Sequence, residues 1–284
     1  MKVYVLVFAF LCSAIVLPAQ GPFSIDEALK QLYHNYDPAK KTAQWECTKE
    51  QQTKESDRLC DYLEAGALKD VSVSVLLTAQ VPEGDVTRVY LATSAEPAEF
   101  DCHACIPATG AAAFVWQGQR WILESANVAA AYLGGWGEAP RTDLITIGPQ
   151  KHGLLLSSTD MGQGYVGAIK QLLAPIGKSV EEIWSLKDDD DDSGSIDPDD
   201  KLLAKPVCRA SAAFRFLAGD EESEGTKDYY DIEVISRGSS WQDYDHPVKR
   251  ENWAEIYTFK DGKYRLARKT AFIEAKKSGN TTKK

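Results

Sequence analysis

From Val71 onward the chain is written in short runs of β-branched and aromatic residues separated by glycine turns, and this texture restricts the fold more than any other feature. Val71, Val73 and Val75 alternate with Ser72 and Ser74, the period of two that sends successive side chains to opposite faces of a strand. After the turn Pro82-Glu83-Gly84-Asp85, the run Arg88 to Thr93 is placed to return beside it as a hairpin. Phe114-Val115-Trp116 and Arg120-Trp121-Ile122-Leu123 flank Gln117-Gly118-Gln119 in the same way. Leu144 to Ile147 and Leu154 to Leu156 flank Gly148-Pro149 and Gly153. The strongest hairpin signal is Ile256 to Phe259, then Lys260-Asp261-Gly262-Lys263, then Tyr264 to Leu266, because Asp-Gly accepts the positive φ values a two-residue turn requires. Residues 208–217 and 229–236 read as further strands. Residues 180–186 fit a helix through Val180, Ile183 and Trp184, or a strand through Val180, Glu182, Trp184 and Leu186.

The N-terminal third has a different texture. Ser24-Ile25-Asp26-Glu27 is a capping box, and Ala28, Leu29, Leu32 and Tyr33 follow on one helical face until Asp37-Pro38. A helix is expected over about 25–36. Residues 39–65, rich in Lys, Glu, Gln and Ala, read as helical pieces ended by Gly66. The expected fold class is therefore α+β: a helical N-terminal segment (21–67) packed on a mainly antiparallel β body (68–270), with a polar tail over 271–284. The tail carries the sequon Asn280-Thr281-Thr282.

Residues 1–20, with Met1-Lys2, an uncharged apolar stretch from Val3 to Leu17 and then Pro18-Ala19-Gln20, have the order of a secretory signal in which the small Ala19 offers a cleavage point. The stretch is shorter than the roughly 20 residues needed to cross a bilayer, so no integral membrane segment is expected after its removal. Phe10-Leu11 before Cys12 is not the small residue of a lipid-attachment signal. A secreted or periplasmic chain follows. Export permits disulfides, and five cysteines survive signal removal: Cys47, Cys60, Cys102, Cys105 and Cys208. A Cys47–Cys60 bond would close a polar loop, provided the segment folds back, since an unbroken helix would hold the sulfurs about 20 Å apart.

Net charge is -10, and its distribution is the second constraint. Residues 188–200 hold eight of the 42 acidic residues and no Lys or Arg; without those eight the remainder carries only -2. A nearly neutral remainder excludes the broad basic face that nucleic acid requires. The partner implied by charge is a small cation. With Gly194 at position 6 of a twelve-residue loop, Asp189, Asp191 and Ser193 fall at 1, 3 and 5, Ser195 at 7, Ile196 at 8, Asp197 at 9 and Asp200 at 12. These residues resemble the calcium loop of the EF-hand family over twelve positions. The resemblance implies a calcium site with Asp189, Asp191, Ser193, Ser195, Asp197 and Asp200 as ligands, Gly194 turning the chain round the ion and Ile196 fastening the loop to the core. It departs from the family in having Asp at position 12, Lys201 after it and no second loop. Pro206 also limits any exit helix to about 198–205.

Cys102-His103-Ala104-Cys105 is the other constellation with chemistry. A structural disulfide, a thiol-disulfide redox pair and a zinc site compete for it. Zinc needs further ligands from Cys208, His34, His152 or His246, none at a diagnostic spacing. Haem attachment is excluded because no His follows the second Cys. Gly134-Gly135-Trp136-Gly137 and Gly162-Gln163-Gly164-Tyr165 read as turns, since no phosphate-loop Lys follows. The chain has no Gly-x-Ser-x-Gly and no His-Glu-x-x-His, and Asp160, His152 and Ser157 are not expected to meet as a triad. The expectation is an exported, non-catalytic binding or envelope protein with one structural calcium ion and an unknown protein or glycan partner. The alternative is an oxidoreductase or zinc enzyme built on Cys102 and Cys105.

Overall fold

Tight turns between strand runs order the chain as a meander. The computed structural model describes residues 20–46, 68–98, 106–135, 137–162, 165–191, 209–218, 228–238, 241–243, 246–247 and 252–271. Helix α1 (Ile25–Leu32) is followed by β1 (His34–Asp37), β2 (Thr42–Glu46), β3 (Leu68–Glu83), β4 (Val86–Pro97), β5 (Ala108–Gln117) and β6 (Arg120–Tyr132). These six strands form one antiparallel sheet in chain order. Then come β7 (Arg141–Gly148), β8 (Lys151–Gly162), β9 (Tyr165–Ile176), β10 (Ser179–Asp191), β11 (Arg209–Leu217) and β12 (Asp231–Gly238). The last strands are β13 (Trp241–Asp243), β14 (His246–Pro247), β15 (Trp253–Lys260) and β16 (Lys263–Ala271). The second sheet has the order β7-β8-β9-β10-β11-β12-β15-β16, and β13 pairs with β14 apart from it.

The α+β expectation is overturned: the described chain is nearly all antiparallel β, with one eight-residue helix. Ser24 caps α1 by accepting from the Glu27 amide. The helix stops at Leu32 because Tyr33 turns to extended backbone, with φ -115°, and Asn35 takes a left-handed φ of 50°. Within the segment expected as helical pieces, Thr42-Ala43-Gln44-Trp45-Glu46 is β2. Its composition favours helix, but Ala43 and Trp45 alternate into the core while Thr42 and Gln44 do not, and pairing with β3 rewards that period of two over intrinsic propensity. Residues 47–67, with Cys47 and Cys60, lie outside the described residues. So does most of the polar tail.

Elsewhere the turns do what their residues permit. Gly118-Gln119 (φ 59° and 66°) closes β5 onto β6, and Asp261-Gly262 (φ 52° and 81°) closes β15 onto β16. Both are the doubly left-handed turn that matches strand twist. Residues 180–186 are strand, in β10.

Side chains of alternating parity on β4 and β5 serve two cores. Val89, Leu91, Ala112 and Phe114 pack on Leu29, Tyr33 and Trp45 on one face of the first sheet. Tyr90, Ala92, Ala111 and Ala113 face Leu154, Leu156, Leu173 and Val180 of the second sheet. The remaining core lies between the two halves of the second sheet, where Leu172, Ile183 and Trp184 meet Ile232, Val234 and Tyr264.

Burial pushes the Tyr33 phenol up to about 12, partly offset by its hydrogen bond to Thr93, and Tyr264 upward as well. These groups stay protonated in the fold while the unfolded chain ionises them above pH about 10. Their contribution is therefore complete below pH 10 and is lost as pH rises toward 12, by up to about 1.4 kcal/mol per pH unit for a fully buried tyrosine. Melting temperature followed by circular dichroism should fall steeply across that window, and less steeply in Tyr33→Phe. Equal slopes in the two proteins would refute the assignment to Tyr33.

Candidate functional site

The inter-sheet core is apolar in its middle and polar at both ends. At the end defined by the β3–β4, β7–β8 and β9–β10 turns, a carboxylate is buried: Glu83, the last residue of β3, is 5% exposed. Pairing with β4 places Glu83, Val81 and Ala79 on the face that carries Arg88 and Tyr90, the face turned to the second sheet. Glu83 Oε2 accepts from Arg88 Nη1 at 2.7 Å, and Oε1 accepts from Tyr90 Oη at 2.7 Å. The third bond crosses the layer. Even-numbered residues of β8 point to the first sheet, so His152 stands in line with Leu154 and Leu156, and its Nδ1 lies 2.7 Å from Glu83 Oε1. Donation by Nδ1–H to the carboxylate gives both atoms complementary roles.

Arg88 is held from its other side by Glu124. Nε and Nη2 donate to the two Glu124 oxygens at 2.7 and 2.9 Å, the forked geometry that suits guanidinium to carboxylate. Glu124 reaches this face because β6 has a bulge there. Leu123 pairs with Phe114 and Ser125 with Ala113, leaving Glu124 as the extra residue that re-aims its side chain. The hydrogen bond from Arg88 holds the Glu124 carboxyl below its usual range, and the same bond raises Arg88. Burial pushes Tyr90 upward, reinforced by the Glu83 charge.

These side chains line a cleft of about 170 Å³ together with Lys151, Pro175, Gly177 and Tyr229. Its chemistry is limited. Three donors engage the Glu83 carboxylate, two at Oε1 and one at Oε2, so it orients His152 and fixes Arg88. Among the described residues lining the cleft there is no Ser, Thr or Cys. The arrangement is a polar clamp between the sheets.

At the opposite end the sheets part. Between the end of β6 and the inner face of β8, β9 and β10 lies a groove of about 460 Å³, lined by Ala129 to Gly134, Ser158, Asp160, Gly167, Ile169, Gln171 and Glu182 among others. A smaller hollow of about 280 Å³ is formed by Phe23, Trp116 and Trp121 beside α1. Trp121 Nε1 donates to the Gly21 carbonyl at 3.1 Å, and the Phe23 ring meets Trp121 edge-on at 5.5 Å.

Of the calcium ligands expected from sequence, Asp189 and Asp191 lie in β10, on one face of the strand, and Asp191 Oδ2 is 3.1 Å from Arg209 Nε. Ser193, Ser195, Asp197 and Asp200 lie outside the described residues, as do Cys102, Cys105 and Cys208. Among the described residues no group of three or more His, Cys, Asp or Glu side chains is placed to hold a metal. His152 is engaged through Nδ1 by Glu83. His152, Ser157 and Asp160 do not converge: Ser157 faces away from the other two, and eight residues of strand separate His152 from Asp160. The turn at Gly134 needs glycine, because a Cβ there would lie 2.2 Å from the Glu138 carbonyl oxygen and φ is 147°. Glu83 and Glu124 were not legible as a pair. One reads as a turn residue and the other depends on a bulge.

No helix among the described residues is long and apolar enough to cross a membrane. No protein-family model, curated protein or solved structure matches the chain.

Proposed function

We propose that the protein is an exported, non-catalytic binding or envelope protein in which one calcium ion orders the loop 189–200. The observation that carries this reading is the placement of Asp189 and Asp191 on the same face at the end of β10, where the chain leaves the sheet. The loop thus starts from two hard oxygen donors on one side of the backbone. The neighbouring strands define what binding demands. In extended backbone the two Cα atoms are about 6.7 Å apart, and ligand oxygens of one calcium ion lie within about 2.6 Å of it, so the carboxylates must lean together. Asp191 must also leave Arg209, which pairs with it across to β11. The ion therefore competes with a guanidinium and draws the last residues of β10 into the loop. Engagement of both Glu83 oxygens supports a binding role over catalysis. The alternative enzyme built on Cys102 and Cys105 falls on residues outside the described ones.

Titration with calcium should raise the melting temperature, by an amount equivalent to about 2.7 kcal/mol when free calcium reaches a hundred times Kd. Asp189→Ala combined with Asp200→Ala should abolish the rise, and Arg209→Gln should move it to lower calcium by removing the competing cation. An unchanged melting temperature at millimolar calcium would overturn the proposal.

A further inference from the structure

We infer that the groove at the open end of the inter-sheet layer binds a linear organic polyamine. Its charged side chains are both acidic, Asp160 from β8 and Glu182 from β10, with Ser158, Gln171 and Tyr132 beside them and no Lys, Arg or His among the described residues of the lining. Among the described residues, Asp160, Ser158 and Glu182 carry no hydrogen bond or ion pair, and a Gln171 side-chain oxygen is buried without a donor. Two carboxylates at the rim of a cavity of molecular size, with no basic side chain in the described lining, favour a cation over an anion as its occupant.

The spacing selects which cation. Asp160 pairs with Gly167 and Glu182 with Leu173, so the two positions lie six residues of β9 apart, about 20 Å along the strand, and two strand spacings apart, about 10 Å across, which makes about 22 Å in all. Side chains leaning inward shorten the gap between the carboxylates to about 15–18 Å. One metal ion cannot serve both, since its oxygen ligands lie within about 2.6 Å of it. A chain of seven methylenes carrying three charged nitrogens spans about 17 Å once a charge-assisted hydrogen bond is added at each end. Its terminal ammonium groups meet Asp160 and Glu182, and its middle nitrogen falls near Gln171. The floor suits the methylenes. Ala129, Ala130 and Ala131 leave room on one wall, Gly167 has open space where a Cβ would stand, and Ile169 offers an apolar surface 40% exposed. Asp189, Asp190 and Asp191 pair with Ala168, Gly167 and Val166 of β9, at the Asp160 end of the groove, so substitution must separate this site from the proposed calcium loop.

Isothermal titration of the full chain with spermidine, in a chelator that removes calcium, should show one saturable site. Asp160→Asn and Glu182→Gln should each weaken it about tenfold, the worth of one charge-assisted contact, and together abolish it. Putrescine, which reaches one carboxylate only, should bind at least about tenfold more weakly than spermidine. Gly167→Leu fills the groove beside Asp160 while both carboxylates are retained, and should remove binding while the melting temperature is kept. Asp189→Asn with Asp191→Asn should leave binding unchanged. If that last variant abolishes binding while Asp160→Asn and Glu182→Gln do not, or if putrescine equals spermidine, the polyamine is only a counter-ion of the acidic run and the inference is overturned.

Discussion

Replacing Glu83 by alanine is expected to destabilise the protein by about 3–5 kcal/mol, the range for removing one partner of a buried charged network. Among the described residues, the carboxylate is the sole hydrogen-bond acceptor of Tyr90 Oη and His152 Nδ1. Arg88 keeps Glu124 and is the least affected of the three. Most of the loss therefore comes from a hydroxyl and an imidazole left without an acceptor in the core between the sheets. Tyr90→Phe in the Glu83→Ala background should recover about 1–2 kcal/mol by removing one orphaned group, although alone it destabilises. Urea unfolding of the single and double variants measures both effects. A loss below about 1 kcal/mol for Glu83→Ala would mean that water replaces the carboxylate at little cost, and that the clamp does not hold the sheets together.

Phe114→Ala is expected to cost a comparable 3–5 kcal/mol, for a different reason. Phe114 is fully buried on the face of β5 opposite the inter-sheet core, with its ring 5.1 Å from that of Phe23. Truncation opens a cavity between the sheet and the segment that leads into α1. Phe23 also packs on Trp121, whose indole N–H holds the Gly21 carbonyl, so loosening Phe23 frees the strap from Gly21 to Ser24. The variant should show a shifted tryptophan emission and faster proteolysis near residue 23, along with the loss in stability. Phe114→Leu, which keeps most of the volume, should cost less than about 1.5 kcal/mol and leave the emission close to the parent's. Similar losses for the two variants would argue that ring shape, more than cavity volume, sets the cost.

The β body was legible in sequence because its signals are local. The Val71, Val73 and Val75 alternation, the Asp261-Gly262 turn and the Trp116–Trp121 hairpin each require only a few neighbouring residues, and each has its counterpart in the strand pairing. The N-terminal segment was misread for the complementary reason. Lys, Gln, Glu and Ala favour helix in isolation, and what makes 42–46 a strand is β3, more than twenty residues further on. Readings of 180–186 were balanced until pairing with β9 decided for strand. The clamp was invisible because it joins Glu83 to His152 across 69 residues and recruits Glu124 through a bulge that no residue type announces. The polyamine groove was hidden likewise: Asp160 and Glu182 are unremarkable surface carboxylates until the register of three strands aligns them.

The strand order has a consequence for how quickly the protein reaches its fold. In both large sheets every strand lies beside its predecessor in the chain, except where β12 meets β15. All-β proteins ordinarily fold slowly because distant segments must find each other before any contact repays the lost chain entropy. Seven of the twelve pairings in these sheets (β1–β2, β3–β4, β5–β6, β7–β8, β8–β9, β9–β10 and β15–β16) join strands four residues or fewer apart in the chain, so these hairpins can form first and template the strands joined to them by longer segments. The junction between the sheets is the exception, since it brings together segments well separated in sequence. Its closure through Glu83 and His152 belongs late in the sequence of events, after two preformed sheets have met.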